Sequence, residues 1–568
     1  MLKQLLIFLI TFSMLPGLFA KETLIYESLE LRPDDAPSRA AQGLVKGSHI
    51  QVFLPSIPYV YISHAINGGL LRPANNTRGW EYELALSHRQ ISDITYEFIL
   101  RKGVFFQDGT PFNADAVLRN MDAFTYQPYL TTKIHEVFDY AEKIDDYTVQ
   151  FNLTQKYGMF LHDLIWIHFY TDKYLEKYGW NGKATLPNLA EPGPYGIGPY
   201  ILTKGYIEGD RQTPKAELVA NPNYWNKRYP KIERVTIYTE LNSEHAKNRV
   251  LHEEGSLDIT PIAVEHKIET ILSPYAKLVI SPSTNNYAIH FNMYNGHSKL
   301  KEKSVRLALN QALHQVNLRY FIFDDESQLS PTMVAPDFPG VQDAMLEIKP
   351  YSEISNPYSK VNQTRLKEIL DGLHLKVLTQ ERFLFLWRGI EEQLNKVGVV
   401  LEIKILPDEK AIFAQLLTTE AGKNTKPWDL LIWGNDDWFN YHPWTAFLVY
   451  RTQNYWNSPF HWSSISPDSV LDDAIEELFT TAIGEPGYNN VVYKIMKHVY
   501  DNAYMLFVPT PNKVLAINKE VIFTPYKQAV LPLWEISITR EHWSIREGDY
   551  PEELKQPVKI IRKNFKPN

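Results

Sequence analysis

Two periods of apolar and polar positions run through this chain, and the switches between them mark its elements. Ile50-Gln51-Val52-Phe53-Leu54 reads as a first strand, and Tyr96 to Arg101 alternates as a half-buried strand does. Asp108-Gly109 marks a turn, and beyond Pro111 the side chain of Asn113 can cap a helix predicted to run through Met121. Over 305–313, Val305, Leu309 and Ala312 share one side of a predicted helix. Leu386, Ile390 and Leu394 recur at i, i+4 and i+8 on another. Gly398 can end that helix in a left-handed turn, after which Leu401, Ile403 and Ile405 alternate as a strand. A helix, a glycine and a strand in that order mark an α/β fold. The polar stretch from Glu22 to Gly47 reads as a loose segment ahead of the first strand. Pro- and Gly-rich breaks fall at 187–199, 281–285 and 485–487, and the first two are expected crossing points between lobes.

The N-terminal pattern is of another kind. Lys3 precedes an almost unbroken apolar run from Leu5 to Leu15, Pro16-Gly17 breaks it, and Leu18-Phe19-Ala20 offers a small residue before a cut. The run is shorter than the roughly 20 residues that span a bilayer. Residues 1–20 are therefore read as a signal peptide, and the mature chain as exported. Most of the 568 residues remain, too many for one hydrophobic core, so several domains are expected. Removing Lys3 leaves 57 basic residues of the original 58 against 66 acidic ones, a balance that disfavours nucleic acid as a partner. The absence of cysteine excludes disulfides, thiolate metal sites, cysteine catalysis and a lipid on an N-terminal cysteine. With 34 Tyr and 13 Trp the chain has rings enough both for cores and for lining a cleft.

Six motifs in one order make a resemblance. Tyr96-Glu97-Phe98-Ile99-Leu100-Arg101-Lys102-Gly103-Val104-Phe105-Phe106-Gln107-Asp108-Gly109-Thr110-Pro111-Phe112 resembles the signature of the bacterial extracellular solute-binding proteins of family 5, the peptide- and nickel-binding proteins of ABC importers, and Ala114-Asp115-Ala116-Val117 continues it. Gly196-Ile197-Gly198-Pro199-Tyr200, Asn221-Pro222-Asn223-Tyr224-Trp225 and Gly255-Ser256-Leu257-Asp258-Ile259 are similar to later motifs of that family. So is Asn292 followed by Ser304-Val305-Arg306-Leu307-Ala308-Leu309-Asn310-Gln311-Ala312. The resemblance implies an α/β fold of the periplasmic binding protein type, with two hinged lobes plus an extra domain (cluster C type). It implies lobe I at 21–65, 193–285 and 510–568, the extra domain packed on it at 66–192, and lobe II at 286–509. Most of the motifs read as scaffold: 196–199 form a tight turn, Tyr224 and Trp225 seal a strand against a core, and Arg306 is expected to anchor a helix through an ion pair.

The stretch from Trp428 to Trp444 holds the candidate ligand contacts. A buried strand at Leu430–Ile432 runs into a loop crowded with carboxylates and rings, and ligands of α/β domains bind beyond the carboxyl ends of strands. In peptide-binding members a Trp-x-x-Asp step stands here and its aspartate holds the ligand ammonium; Trp433-Gly434-Asn435-Asp436 matches that spacing. Two extra residues before Pro443 depart from the family, and alignment from Pro443 brings Asp437 or Trp438 to the cleft instead. Trp438 is also the match to a tryptophan of the nickel-binding branch. Tyr441 and His442 complete the candidates. The competing reading is that Asp436 and Asp437 cap a turn and the rings only pack. The nickel branch binds its chelator through an arginine that Trp166-Ile167-His168-Phe169-Tyr170 lacks, although His168, His135 or His442 could touch a metal. No catalytic residue, resident metal or cofactor is assigned: the chain lacks a nucleophile elbow, a zinc-protease His pair and a phosphate loop, and adjacent aspartates suit glycoside hydrolysis poorly. The resulting expectation is a monomeric periplasmic importer component, without a lipid anchor. Its ligand would be a short peptide or, as the alternative, a nickel or other metal chelate, and its partners a membrane permease and ATPase. A secreted hydrolase is the reading from a different class, and turnover of a peptide or glycoside would mark it.

Overall fold

The computed structural model describes residues 24–26, 43–55, 58–125, 134–178, 192–207, 212–293, 296–407, 411–412, 415, 419–420, 423–424, 428–435, 441–443, 447 and 468–546. Two sheets of mixed direction carry the fold. The larger has eight strands in the order Leu24–Tyr26, Ala276–Ser281, Lys513–Asn518, Ile259–Pro261, Val45–Phe53, Ile232–Tyr238, Lys215–Ala220 and Tyr200–Lys204. The smaller has five, in the order Val400–Ile405, His374–Thr379, Leu430–Asn435, Asn286–Phe291 and Met505–Leu506.

The chain leaves the larger sheet after Ser281, enters the smaller at Asn286, and returns between Leu506 and Lys513. Ser281 to Asn285 is thus a passage from sheet to sheet. The break at 187–199, expected to be a second such passage, is not one. Its described part, 192–199, leads from a separate four-stranded antiparallel unit into the edge strand Tyr200–Lys204. That unit pairs Ala85–Ser92, Thr95–Leu100, Thr148–Leu153 and Phe138–Asp145.

Periodicity was a good guide to helices. The Asn113 carboxamide oxygen accepts from the Ala116 amide at 3.1 Å, at the start of a helix over Ala114–Thr125. Helix Leu384–Asn395 buries Leu386, Ile390 and Leu394, and Gly398 follows at φ +86°. The next strand, Val400–Ile405, lies at the edge of its sheet, so Ile405 stays exposed although it belongs to the alternating set. The segment before the first predicted strand needs correction. Leu24–Tyr26 adds an antiparallel edge strand, with Leu24 opposite Ile280, and the strand through Ile50 already begins at Val45.

One large core runs from the eight-stranded sheet (Ile50, Val52, Val235) through the four-stranded unit (Phe98, Val149, Phe151) to helices Ser469–Thr480 and Tyr488–Asp501. The four-stranded unit therefore packs against both neighbours, not on the larger sheet alone. The Gly158 amide donates to the Phe479 carbonyl at 2.7 Å, and Lys156 pairs with Glu485 at 2.8 Å. A second core covers the smaller sheet, around Ile289, Leu375, Trp387 and Leu430. Among the described residues no helix is long and apolar enough to cross a membrane.

Candidate ligand cleft between the two sheets

The motifs read as scaffold are scaffold. Gln107 donates to the carbonyls of Ile66 (2.9 Å) and Tyr200 (2.7 Å) and accepts from the Gly196 amide (3.1 Å), sewing the four-stranded unit to the turn ahead of Tyr200. Asp258 is wholly buried and accepts from the Gln51 amide at 2.8 Å and from the Trp543 indole at 2.8 Å. Tyr224 donates to Glu83 at 3.2 Å, while Arg101 lies over the Trp225 ring at 4.3 Å. Arg306 does anchor its helix, but not through an ion pair. It donates to the carbonyls of Leu300 (2.8 Å), Lys301 (2.9 Å), Asn502 (2.9 Å) and Ala503 (3.1 Å). Those orphaned helix-end acceptors fit a guanidinium's fork of donors as well as a carboxylate would.

The two passages between sheets are tied together. Thr510 donates to the Asn286 side chain at 2.6 Å, and strand Ser327–Gln328 pairs with Thr510–Pro511. The Thr284 amide reaches the Lys527 carbonyl at 3.0 Å, and the Lys527 ammonium pairs with buried Asp337 at 2.8 Å. Lys267, beside the larger sheet, pairs with Asp324 at 2.8 Å and Glu326 at 3.1 Å on the other side.

Against these passages lies a cavity of about 260 Å³. It is walled by the carboxyl end of the strand Val45–Phe53 (Phe53, Leu54, Pro55), by the passages (Ser283, Asn285, Pro511, Asn512) and by 523–531. From the smaller-sheet side come Tyr287 and Arg382. Arg382 follows the carboxyl end of strand His374–Thr379; its Nε donates to Gln380 at 2.8 Å and its guanidinium lies 4.7 Å from the Phe383 ring centre. Both sheets and both passages thus meet one hollow, the geometry in which a change of angle between sheets opens or encloses a guest.

The predicted contacts fall unevenly around it. Asp436, Asp437 and Trp438 lie outside the described residues, and of Trp433 only the backbone is described, opposite Ala288. Strand Leu430–Asn435 ends with Asn435 opposite Asn286, at the start of the strand that leaves the first passage. Tyr441 and His442 do not line the cavity. Tyr441, at φ +53°, packs beside Gly79 and Phe338 and donates its hydroxyl to the Asp337 carbonyl at 2.8 Å. His442 is fully buried, its ring 5.8 Å from those of His162 and Tyr488, and burial holds its pKa well below the usual value. His168 is buried against His64, ring centres 4.6 Å apart. Among the described residues no three His, Asp or Glu side chains are grouped to hold a metal. Sequence reasoning missed Arg382 and the wall at 523–531. The rule applied to Leu430–Ile432, that ligands meet the carboxyl ends of strands, also points to Arg382; no periodic signal marks 523–531.

Comparison with known proteins agrees with the architecture. The profile of "Bacterial extracellular solute-binding proteins, family 5 Middle" matches residues 80–361. The glutathione-binding protein GsiB of Escherichia coli is 28% identical over 229 residues, a match spanning 39% of this chain and 41% of that protein. Among solved structures, NikA from Brucella suis in complex with Fe(III)-EDTA superposes with a TM-score of 0.69 at 16% identity, covering 86% of this chain and 100% of that one. DppA from Helicobacter pylori in complex with peptide STSA gives 0.67 at 18% identity, covering 89% and 99%. AppA from Bacillus subtilis in complex with a nonapeptide gives 0.66 at 17%, covering 87% and 99%. Ordered motifs, a profile match over residues 80–361 and a shared fold across most of the chain lead to one conclusion: the chain belongs to the bacterial extracellular solute-binding proteins of family 5.

Proposed function

We propose that the protein is the periplasmic substrate-binding component of an ABC importer, which captures a short peptide by closing two lobes around it and delivers it to a membrane permease. One observation supports this above the rest: one hollow is walled by both sheets and by both passages between them. The lobes are proposed at 21–65 with 193–285 and 510–568, and at 286–509, with 66–192 as the extra domain. Residues 1–20 are proposed as a cleaved signal peptide, with no lipid anchor and a monomeric mature chain.

Arg382 suits a carboxylate, which a peptide and an organic chelator share. The Trp433-x-x-Asp436 spacing favours the peptide, because an aspartate pairs with its ammonium. Asp436 is the proposed partner, with Asp437, Trp433 and Trp438 beside it, while Tyr441 and His442 pack away from the hollow. A nickel or other metal chelate is the second reading.

Native mass spectrometry of protein isolated from cells tests this, with a co-purifying peptide mass expected. X-ray scattering should show a smaller radius of gyration when ligand is added. Asp436→Ala should weaken peptide binding by about 2–5 kcal/mol, the usual cost of removing one partner of an enclosed charge pair. A chelate mass in place of a peptide would shift the assignment to the second reading. Scattering curves that coincide with and without saturating ligand would sink both.

A further inference from the structure

The two sides of the hollow differ in chemistry. On the larger-sheet side stand Phe53, Leu54, Tyr61, Phe523 and Leu531, rings and branched chains with no charge. The ammonium on that side, Lys513, is turned onto main-chain oxygens of Tyr526, at 2.7 Å, and Gln528. The opposite rim carries the guanidinium of Arg382, and among the described residues lining the cavity none is an aspartate or glutamate. An apolar group set against the first side loses water-exposed surface without leaving a polar atom unsatisfied. A cationic group there loses hydration and meets no described counter-charge. The volume, about 260 Å³, sits just below the roughly 300–1,000 Å³ usual for small-molecule sites, so the enclosed guest is small.

Resting on the reading that this hollow is the ligand site, we infer that the guest is a small amphipathic carboxylate. An apolar or aromatic group lies against Phe53, Phe523 and Leu531, the carboxylate faces Arg382, and guests with a basic side chain are rejected. Phe523 and Leu515 both line the cavity; each is half-buried and packs against the large core, so substituting them alters the wall from its inner side.

The test is calorimetric titration of the full-length mature protein with alanyl-phenylalanine, alanyl-alanine, alanyl-lysine and the amine-free carboxylate 3-phenylpropionate. Alanyl-phenylalanine should bind at least about 10-fold tighter than the other two dipeptides, the expected worth of one buried apolar side chain. Phe523→Ser with Leu515→Ser should bring that preference below threefold in protein that still melts cooperatively. Dipeptides that all bind alike, or alanyl-lysine in front, would overturn this inference and leave the peptide-carrier reading standing. Binding of 3-phenylpropionate with no dipeptide bound would uphold the apolar wall and remove the peptide reading. Failure of all four at millimolar concentration would overturn the inference itself.

Discussion

Arg306 shows what a single residue can and cannot disclose in sequence. Its place in a helix with apolar Val305 and Leu309 marks it as an anchored charge. Two of its four partners are carbonyls nearly two hundred residues away, at Asn502 and Ala503, and no local pattern encodes them. Lysine cannot reproduce the fork, since its point charge reaches fewer of the four oxygens. Arg306→Lys should therefore cost about 2–3 kcal/mol, from acceptors left buried without donors. Urea unfolding reads this as a lower midpoint at unchanged slope. A midpoint within error of the parent would mean that water replaces the guanidinium, and the anchoring role would go. Arg382 is the opposite case: its surroundings are informative only once the strand before it is seen to end at the hollow.

At the scale of elements, those whose burial follows their own period were legible. Helix Leu384–Asn395 and strand Thr95–Leu100 each put their apolar set inward as the spacing requires. Contacts made by backbone were not legible. Gly158 lies so close to the end of helix Ser469–Thr480 that a Cβ there would come within 2.6 Å of the Thr481 carbonyl oxygen and the Ala482 nitrogen. Nothing in the local sequence singles out this glycine, because the constraint comes from a segment more than three hundred residues downstream. Gly158→Ala should push the two units apart, breaking the Gly158–Phe479 hydrogen bond and loosening the Lys156–Glu485 pair. Overpacking of this kind costs about 1–3 kcal/mol. Hydrogen exchange should quicken at Gly158 and across 479–485; unchanged protection there would show that the segment shifts without strain.

Over the whole molecule, the two-sheet plan was accessible through the order of the family's motifs, whereas the core shared by the four-stranded unit and helices Ser469–Thr480 and Tyr488–Asp501 was not. That shared core buries ionisable groups whose protons link folding to pH. Burial depresses His64 to about 3, and the same effect depresses His290 on the smaller sheet to about 3. His168 and His442 move in the same direction. Each imidazole stays neutral in the folded chain but charges near its ordinary value of 6.5 once unfolded, so the unfolded state binds more protons below that pH. Their contribution is intact above pH 6.5 and is lost as pH falls toward 3. At pH 5 the loss is about 2 kcal/mol for each of His64 and His290. Glu83 acts the other way. Burial lifts its carboxyl from 4.5 to about 7, so its folded form holds the extra proton, and stability is gained on acidifying through that interval. One such carboxyl offsets about one imidazole, leaving the balance with the histidines. The melting temperature should thus fall between pH 7 and pH 5, a window above the ordinary range of exposed carboxylates. Calorimetry across it separates the two contributions by sign: His290→Phe should flatten the fall and Glu83→Gln should steepen it. If both variants keep the parent's slope, the protons are bound elsewhere and these buried groups do not govern the acid response.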